Sequence, residues 1–223
     1  MMAEIWWITL LTVAMAAAAT LLILPPGLLL AWALARGHFP GRVLLETLVS
    51  LPLVMPPVAT GLVLLFLLAP RGALGPALSR FGIEIVFTWK AAVIAMAVMG
   101  LPLLVRTARA GFEQVDRRYE SVAATLGARP FRVFLNVTLP LALPAVAAGS
   151  VLAFARSIGE FGATMMIAGS IPGSTRTLAV AIYSFAETGR DTEALQLVGV
   201  SAVLAFAALW LSNWITTRAA GRA

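Results

Sequence analysis

Cysteine is absent from the chain and histidine occurs once, at His38. Disulfides, thiolate metal sites, cysteine nucleophiles and histidine-rich metal centres are thereby excluded. Charge is scarce as well: 12% of the 223 residues are charged, against 61% hydrophobic, and the mean hydropathy is +0.95. A soluble domain of this size carries far more charge, so the chain reads as a membrane protein. No GxxxxGK[ST] phosphate loop is present, so nothing here hydrolyses ATP, and no Gly-x-Ser-x-Gly elbow or HExxH pair is available for an intramembrane enzyme. The first seven residues carry Glu4 and no Lys or Arg, which disfavours a cleaved signal peptide and predicts a retained first helix.

The charge that is present lies between apolar runs. The net charge of +6 therefore does not form the continuous basic face that nucleic acid needs. Five spans are predicted. The first runs from about Ile5 to Ala35, with a kink expected at Pro25-Pro26-Gly27, and Trp6, Trp7 and Trp32 sit near its ends as interfacial aromatics do. A short basic loop, Arg36 to Arg42, holds His38, which reads as a solvated loop residue. The second span, about Leu44 to Ala69, contains Pro52, Pro56 and Pro57 directly before Thr60 and Gly61. Such breaks persist in a bilayer only where protein or a water-filled cavity satisfies the freed carbonyls, so the bend is either a packing kink or the lining of a pathway.

The third span is expected from about Thr88 to Val105, the fourth from Leu139 to Gly169 and the fifth from Ala194 to Trp214, with short amphipathic pieces at Leu74–Phe81 and Leu178–Phe185. Counting Lys and Arg in the connecting segments gives ten (Arg36, Arg42, Arg106, Arg109, Arg117, Arg118, Arg129, Arg132, Arg218, Arg222) against five (Arg71, Arg80, Lys90, Arg176, Arg190). The positive-inside rule then places the amino terminus outside and the carboxyl terminus in the cytoplasm. The fold class is all-α: one polytopic domain, residues 1–223, whose longest cytoplasmic loop spans about 106–138.

Two stretches stand out. Within the fourth span, Arg156, Ser157, Glu160 and Thr164 fall at membrane depth, where a lone charge costs about 2.5 to 3.5 kcal/mol even on lenient insertion scales. Arg156 and Glu160 share a helix face at i,i+4 and can pair. They form either a structural ion pair or, with Ser157, Thr164 and the Thr60 bend, the lining of a gate; Gly159 and Gly162 permit close packing or movement. The other stretch is Tyr119 to Pro144, where Arg117, Arg118, Glu120, Arg129 and Arg132 alternate with Val122, Leu126, Phe131 and Phe134 as in short amphipathic helices at a membrane surface. Gly127 interrupts it, and Pro140 is expected in the first turn of the following span, where its missing N–H is tolerated.

Gly127, nine residues, Val137, one residue and Leu139-Pro140 resemble the cytoplasmic signature loop of the membrane subunits of ATP-binding-cassette (ABC) importers, in which Glu-Ala-Ala precedes the glycine. Ser121, Val122 and Ala123 stand in the Glu-Ala-Ala places, with Glu120 one position early and Ala124 after them. In the family this loop docks into a groove on the ATP-hydrolysing subunit. Leu152 to Tyr183 (LAFARSIGEFGATMMIAGSIPGSTRTLAVAIY), LLETLVSLPLVMPPVATGLVLL and ARGHFPGR are similar to the ModB type of molybdate permease. The FARSIGEFGA piece occurs in variants in sulfate permeases, while IPGSTRT and the proline-rich second span favour molybdate or tungstate over sulfate or thiosulfate. The resemblance implies a homodimer in a prokaryotic plasma membrane, enclosing a central pathway. It also implies two cytoplasmic ATPase subunits that bind ATP and Mg, a separate extracytoplasmic binding protein that delivers the anion, and no cofactor or metal in this chain. A passive channel or scaffold accounts for the hydrophobicity but not for the charged helices of the long loop.

Overall fold

The computed structural model describes residues 2–220, so Arg222 lies outside the described residues. Of the described residues 81% are helical and none lies in a strand. In order the elements are α1 (Met2–Arg36), α2 (Arg42–Val54), α3 (Pro57–Leu68), α4 (Gly75–Arg80), α5 (Trp89–Gln114), α6 (Arg117–Thr125), α7 (Pro130–Val133), a π-helical turn (Phe134–Thr138), α8 (Leu139–Ile158), α9 (Gly162–Ala168), α10 (Leu178–Glu187) and α11 (Asp191–Ala220). Four stretches are long and apolar enough to cross a membrane: α1, α5, the run Pro130–Ile158, and α11. The α2–α3 pair, bent by 113° at Met55–Pro56, makes a fifth when its two halves are taken as one span.

Helix α5 is the centre of the bundle, packed on α1 along one side and on α8 along another. In lipid no hydrophobic force draws two helices together, so close approach must come from small side chains. The α5–α8 seam supplies them. Ala145, Gly149, Ala153 and Ser157 recur every four residues on α8, opposite Gly100, Thr107 and Gly111 of α5, and a Cβ added at Gly111 would meet the Ala145 methyl at 2.3 Å. At one end of the bundle α1 is tied to α10, because the Thr12 hydroxyl, itself donating to Ile8 O, accepts the Leu178 N–H at 2.8 Å. Arg190 bridges Glu4 and Glu193 at the same end, and the hydrogen bond it donates to Glu4 is the main reason its guanidinium pKa is raised.

The structure redraws several expected boundaries. Helix α5 runs nine residues past Val105, because Arg106 and Arg109 lie on the helix rather than in a loop. There Arg109 is held by Glu113 one turn on (2.7 Å) and by Glu46 of α2 (2.6 Å). Helix α1 stays one element through Pro25 and Pro26, as expected, and reaches from Met2 to Arg36. The expected fourth span divides at Gly159–Phe161 into α8 and α9. Finally, Pro140 falls in the first turn of α8, as expected, but that turn is not a free helix start: Val133, Phe134, Thr138 and Leu139 all have right-handed helical dihedrals, so α7 passes through the π turn into α8. A proline ring crowds the carbonyl four residues back, here Asn136. The wider π ring, closed by Leu139 N donating to Phe134 O, accommodates it without breaking the rod.

Candidate functional site

Two places hold the residues that the sequence singles out. The first is an elbow at the end of the bundle where α1 and α5 finish. Asp116 caps α6 by accepting the Arg118 N–H at 2.9 Å. The helix closes on Gly127, whose φ of 84° is left-handed; Gly127 N–H reaches Ala124 O at 3.0 Å and Ala128 N–H reaches Ala123 O at 3.1 Å. This paired closure requires a residue free of Cβ strain at position 127. Neither α6 nor α7 buries a residue, and Tyr119, Val122, Leu126 and Phe131 are exposed, Leu126 at 83%. Large apolar side chains thus stand out among Arg117, Arg118, Arg129 and Arg132, a pattern that marks interaction surfaces in general.

Ser121 donates its hydroxyl to Arg117 O (3.0 Å), Ala124 and Pro140 are exposed, and Ala123, Val137 and Leu139 are half-buried. A cavity of about 330 Å³ lies between Ala123, Leu126, Gly127, Arg132, Val133 and Val137. Glu120 alone of the charged residues on α6 turns inward. Its Oε1 accepts from Arg36 Nε (3.2 Å), Arg36 Nη2 (3.1 Å) and the Thr138 hydroxyl (2.7 Å). Arg36 and Thr138 are functional candidates that no local pattern reveals, since Arg36 is 84 residues away and Thr138 is an unremarked position between Val137 and Leu139.

The second place is where α3 meets α9. A Cβ at Gly162 would sit 2.9 Å from Pro57 and 3.0 Å from Val58 N, and one at Gly61 would sit 2.7 Å from Ala163 Cα, so the two half-helices start side by side at near-backbone contact. The Glu160 carboxylate occupies the joint: Oε1 accepts the Ala163 N–H at 2.8 Å, and Oε2 lies 2.7 Å from Arg156 Nη1 in an ion pair that lacks hydrogen-bond alignment. Ser157 is fully buried, donating to Ala153 O and Met96 O; Thr164 is fully buried, donating to Glu160 O and Phe161 O. Thr60 is buried in the first turn of α3 with its hydroxyl unpartnered.

Of this group only Arg156 reaches a surface, at 27% exposure against 1% for Glu160. The hydrogen bond from the adjacent Ser157 to Met96 O sets this level about 10 Å along α5 from Trp89, at 1.5 Å per residue. A half-buried guanidinium within a spanning helix is costly where it faces lipid. Its remaining N–H groups suit an oxyanion, and the ion pair keeps the local net charge near zero. Among the described residues no cluster of three or more His, Asp or Glu is placed to hold a metal ion.

Comparison with known proteins shows the family. The family model described as "Binding-protein-dependent transport system inner membrane component" matches residues 23–221. The chain is 46% identical over 212 residues to the molybdenum transport system permease protein ModB of Escherichia coli (strain K12), covering 94% of this chain and 93% of that protein. It is 42% identical over 157 residues to the sulfate transport system permease protein CysT of the same strain, covering 70% of this chain and 57% of that protein. In fold it is similar to a chain of the crystal structure of a bacterial ABC transporter involved in the import of the acidic polysaccharide alginate, with a TM-score of 0.70 at 16% identity over 96% of this chain and 79% of that one. The chain belongs to the family of binding-protein-dependent transport system inner membrane components.

Proposed function

We infer that the chain is the permease subunit of an ABC importer that carries molybdate, and tungstate with it, across a prokaryotic plasma membrane. The observation that carries this reading is the end-to-end likeness to a molybdenum permease, which spans the elbow and both broken helices, whereas the likeness to a sulfate permease covers 57% of that protein. Two copies enclose the pathway. The chain has no phosphate loop, so separate cytoplasmic ATPase subunits bind ATP and Mg and grip the elbow through Tyr119, Val122, Leu126 and Phe131, while an extracytoplasmic binding protein delivers the anion. Arg156 offers donors to the tetrahedral oxyanion in transit. Glu160 holds Arg156 in place and caps α9; Ser157 and Thr164 fix the ends of α8 and α9; Thr60 and the α2–α3 bend complete the gate. An anion held tightly here could not leave, so a single paired arginine suits passage better than an unpaired cluster would.

Reconstitution of the permease with its ATPase and binding protein in proteoliposomes tests the reading. Molybdate and tungstate are expected to stimulate ATP hydrolysis and to enter the vesicles, and a hundredfold excess of sulfate to leave uptake unchanged. Uptake of sulfate in preference to molybdate would assign the chain to the sulfate permeases instead.

A further inference from the structure

Helix α6 buries nothing; it packs chiefly against α7 and the π turn, and its Glu120 reaches Arg36 of α1. Helix α7 is different, since it is continuous with the spanning helix α8. Force applied to α7 therefore moves α8 directly, whereas α6 reaches the bundle through the short link Val115–Asp116 to α5 and through its side-chain contacts. The central contact is one carboxylate oxygen. Glu120 Oε1 receives Arg36, the last residue of α1, and Thr138, in the π turn at the foot of α8; Arg36 Nη2 donates also to Val115 O (2.8 Å), at the end of α5. One acceptor thus joins the end of α1 to the foot of α8, and Arg36 carries the link on to the end of α5. The node is sheltered, with Arg36 and Glu120 side chains 13% and 20% exposed and Thr138 1%.

We propose that Arg36, Glu120 and Thr138 form a latch that transmits movement of the docked α6 to α1, α5 and α8, with Glu120 a positioning residue for coupling rather than a contact to the ATPase. The proposal rests on the permease reading above. It also gives a place to the acidic residue that stands one position early in the signature loop: turned inward, it is withheld from the partner, and docking falls to the exposed apolar residues. The π turn fits this role, because a π ring can pass its extra residue along the helix and let the segment above it rotate while the Thr138 hydroxyl keeps its register with α6.

The test uses the full complex in proteoliposomes and three variants: Glu120→Gln, Thr138→Val, which keeps the shape and removes the donor, and Thr138→Ser, which restores it. ATPase affinity for the permease and ATP hydrolysed per molybdate transported are measured on each. Glu120→Gln and Thr138→Val are expected to bind the ATPase as wild type does and to hydrolyse about tenfold more ATP per anion, the size of a typical coupling free energy; Thr138→Ser is expected to restore the wild-type ratio. An unchanged ratio in both variants would overturn the latch, and so would loss of ATPase affinity in proportion to transport, which would make Glu120 a docking residue. Should Glu120→Gln fail to fold, the Val and Ser pair at 138 decides alone. Wild-type complex that does not transport molybdate at all would count against the permease reading and not against the latch.

Discussion

Glu160 serves two structures with its two oxygens, one capping α9 and one facing Arg156. Replacing it by Gln keeps an acceptor for Ala163 N–H and leaves the guanidinium without its counter-charge. Removing one partner of a buried pair costs about 3–5 kcal/mol, and the partial exposure of Arg156 places this case near the lower end. Glu160→Gln is expected to lower the melting temperature in detergent, and Arg156→Met added to it to restore much of the loss; an unchanged melting temperature would mean that both groups are solvated. At Gly127 the reasoning is conformational. No atom lies within 4 Å of the Cβ that an alanine would add, so this chain itself offers no steric objection, yet φ is +84°. Gly127→Ala should cost about 1 kcal/mol through the backbone alone, and Gly127→Asn less. If the elbow must keep that shape to dock, ATPase affinity falls about fivefold for Ala, a 1 kcal/mol loss. Sequence revealed the Arg156–Glu160 pair because its spacing is local. It was silent on the Glu120 node, whose members meet only through the fold.

Among the helices, breaks decide more than spans. Hydropathy located the apolar cores of all five crossings, and the prolines at 52, 56 and 57 announced the α2–α3 bend. The division at Gly159–Phe161 was not legible, since the run is apolar on both sides and the only signal, Gly159 and Gly162, fits an unbroken packed helix equally well. The extension of α5 to Gln114 was hidden for the opposite reason: hydropathy stops at Arg106, while helical geometry continues wherever Arg109 finds Glu113 and Glu46. The α3–α9 contact that these breaks create is tight. A methyl at Gly61 would lie 2.8 Å from Ala163 O, whereas one at Gly199 would have no atom of another described element within 4 Å. Gly61→Ala is therefore expected to destabilise by about 1–3 kcal/mol, as overpacking does, and Gly199→Ala to have no such effect, both read by thermal melting in detergent. Equal melting of the two variants would mean that α3 and α9 separate readily.

For the whole molecule the distribution of charge is asymmetric between the two ends of the bundle. Arg36, Arg42 and Arg109 are joined by Glu113, Glu46 and Glu120 at the end that carries the elbow, and Arg117, Arg118, Arg129 and Arg132 add to it. The opposite end has the Glu4–Arg190–Glu193 cluster and the Trp7 indole donating to Gly173 O. Helix α1 begins and α11 begins at that second end, so an odd number of crossings separates the two termini, and the broken α2–α3 pair must count as one crossing for the parity to hold. The positive-inside rule assigns the elbow to the cytoplasm. Because the chain has no cysteine, single replacements report accessibility without background. In intact cells Thr188→Cys, exposed beside Arg190, is expected to react with a membrane-impermeant maleimide, and Ser121→Cys, exposed on α6, to react only after the membrane is opened. The reverse pattern would put the elbow outside, out of reach of any cytoplasmic ATPase, and the coupling mechanism would fail with it.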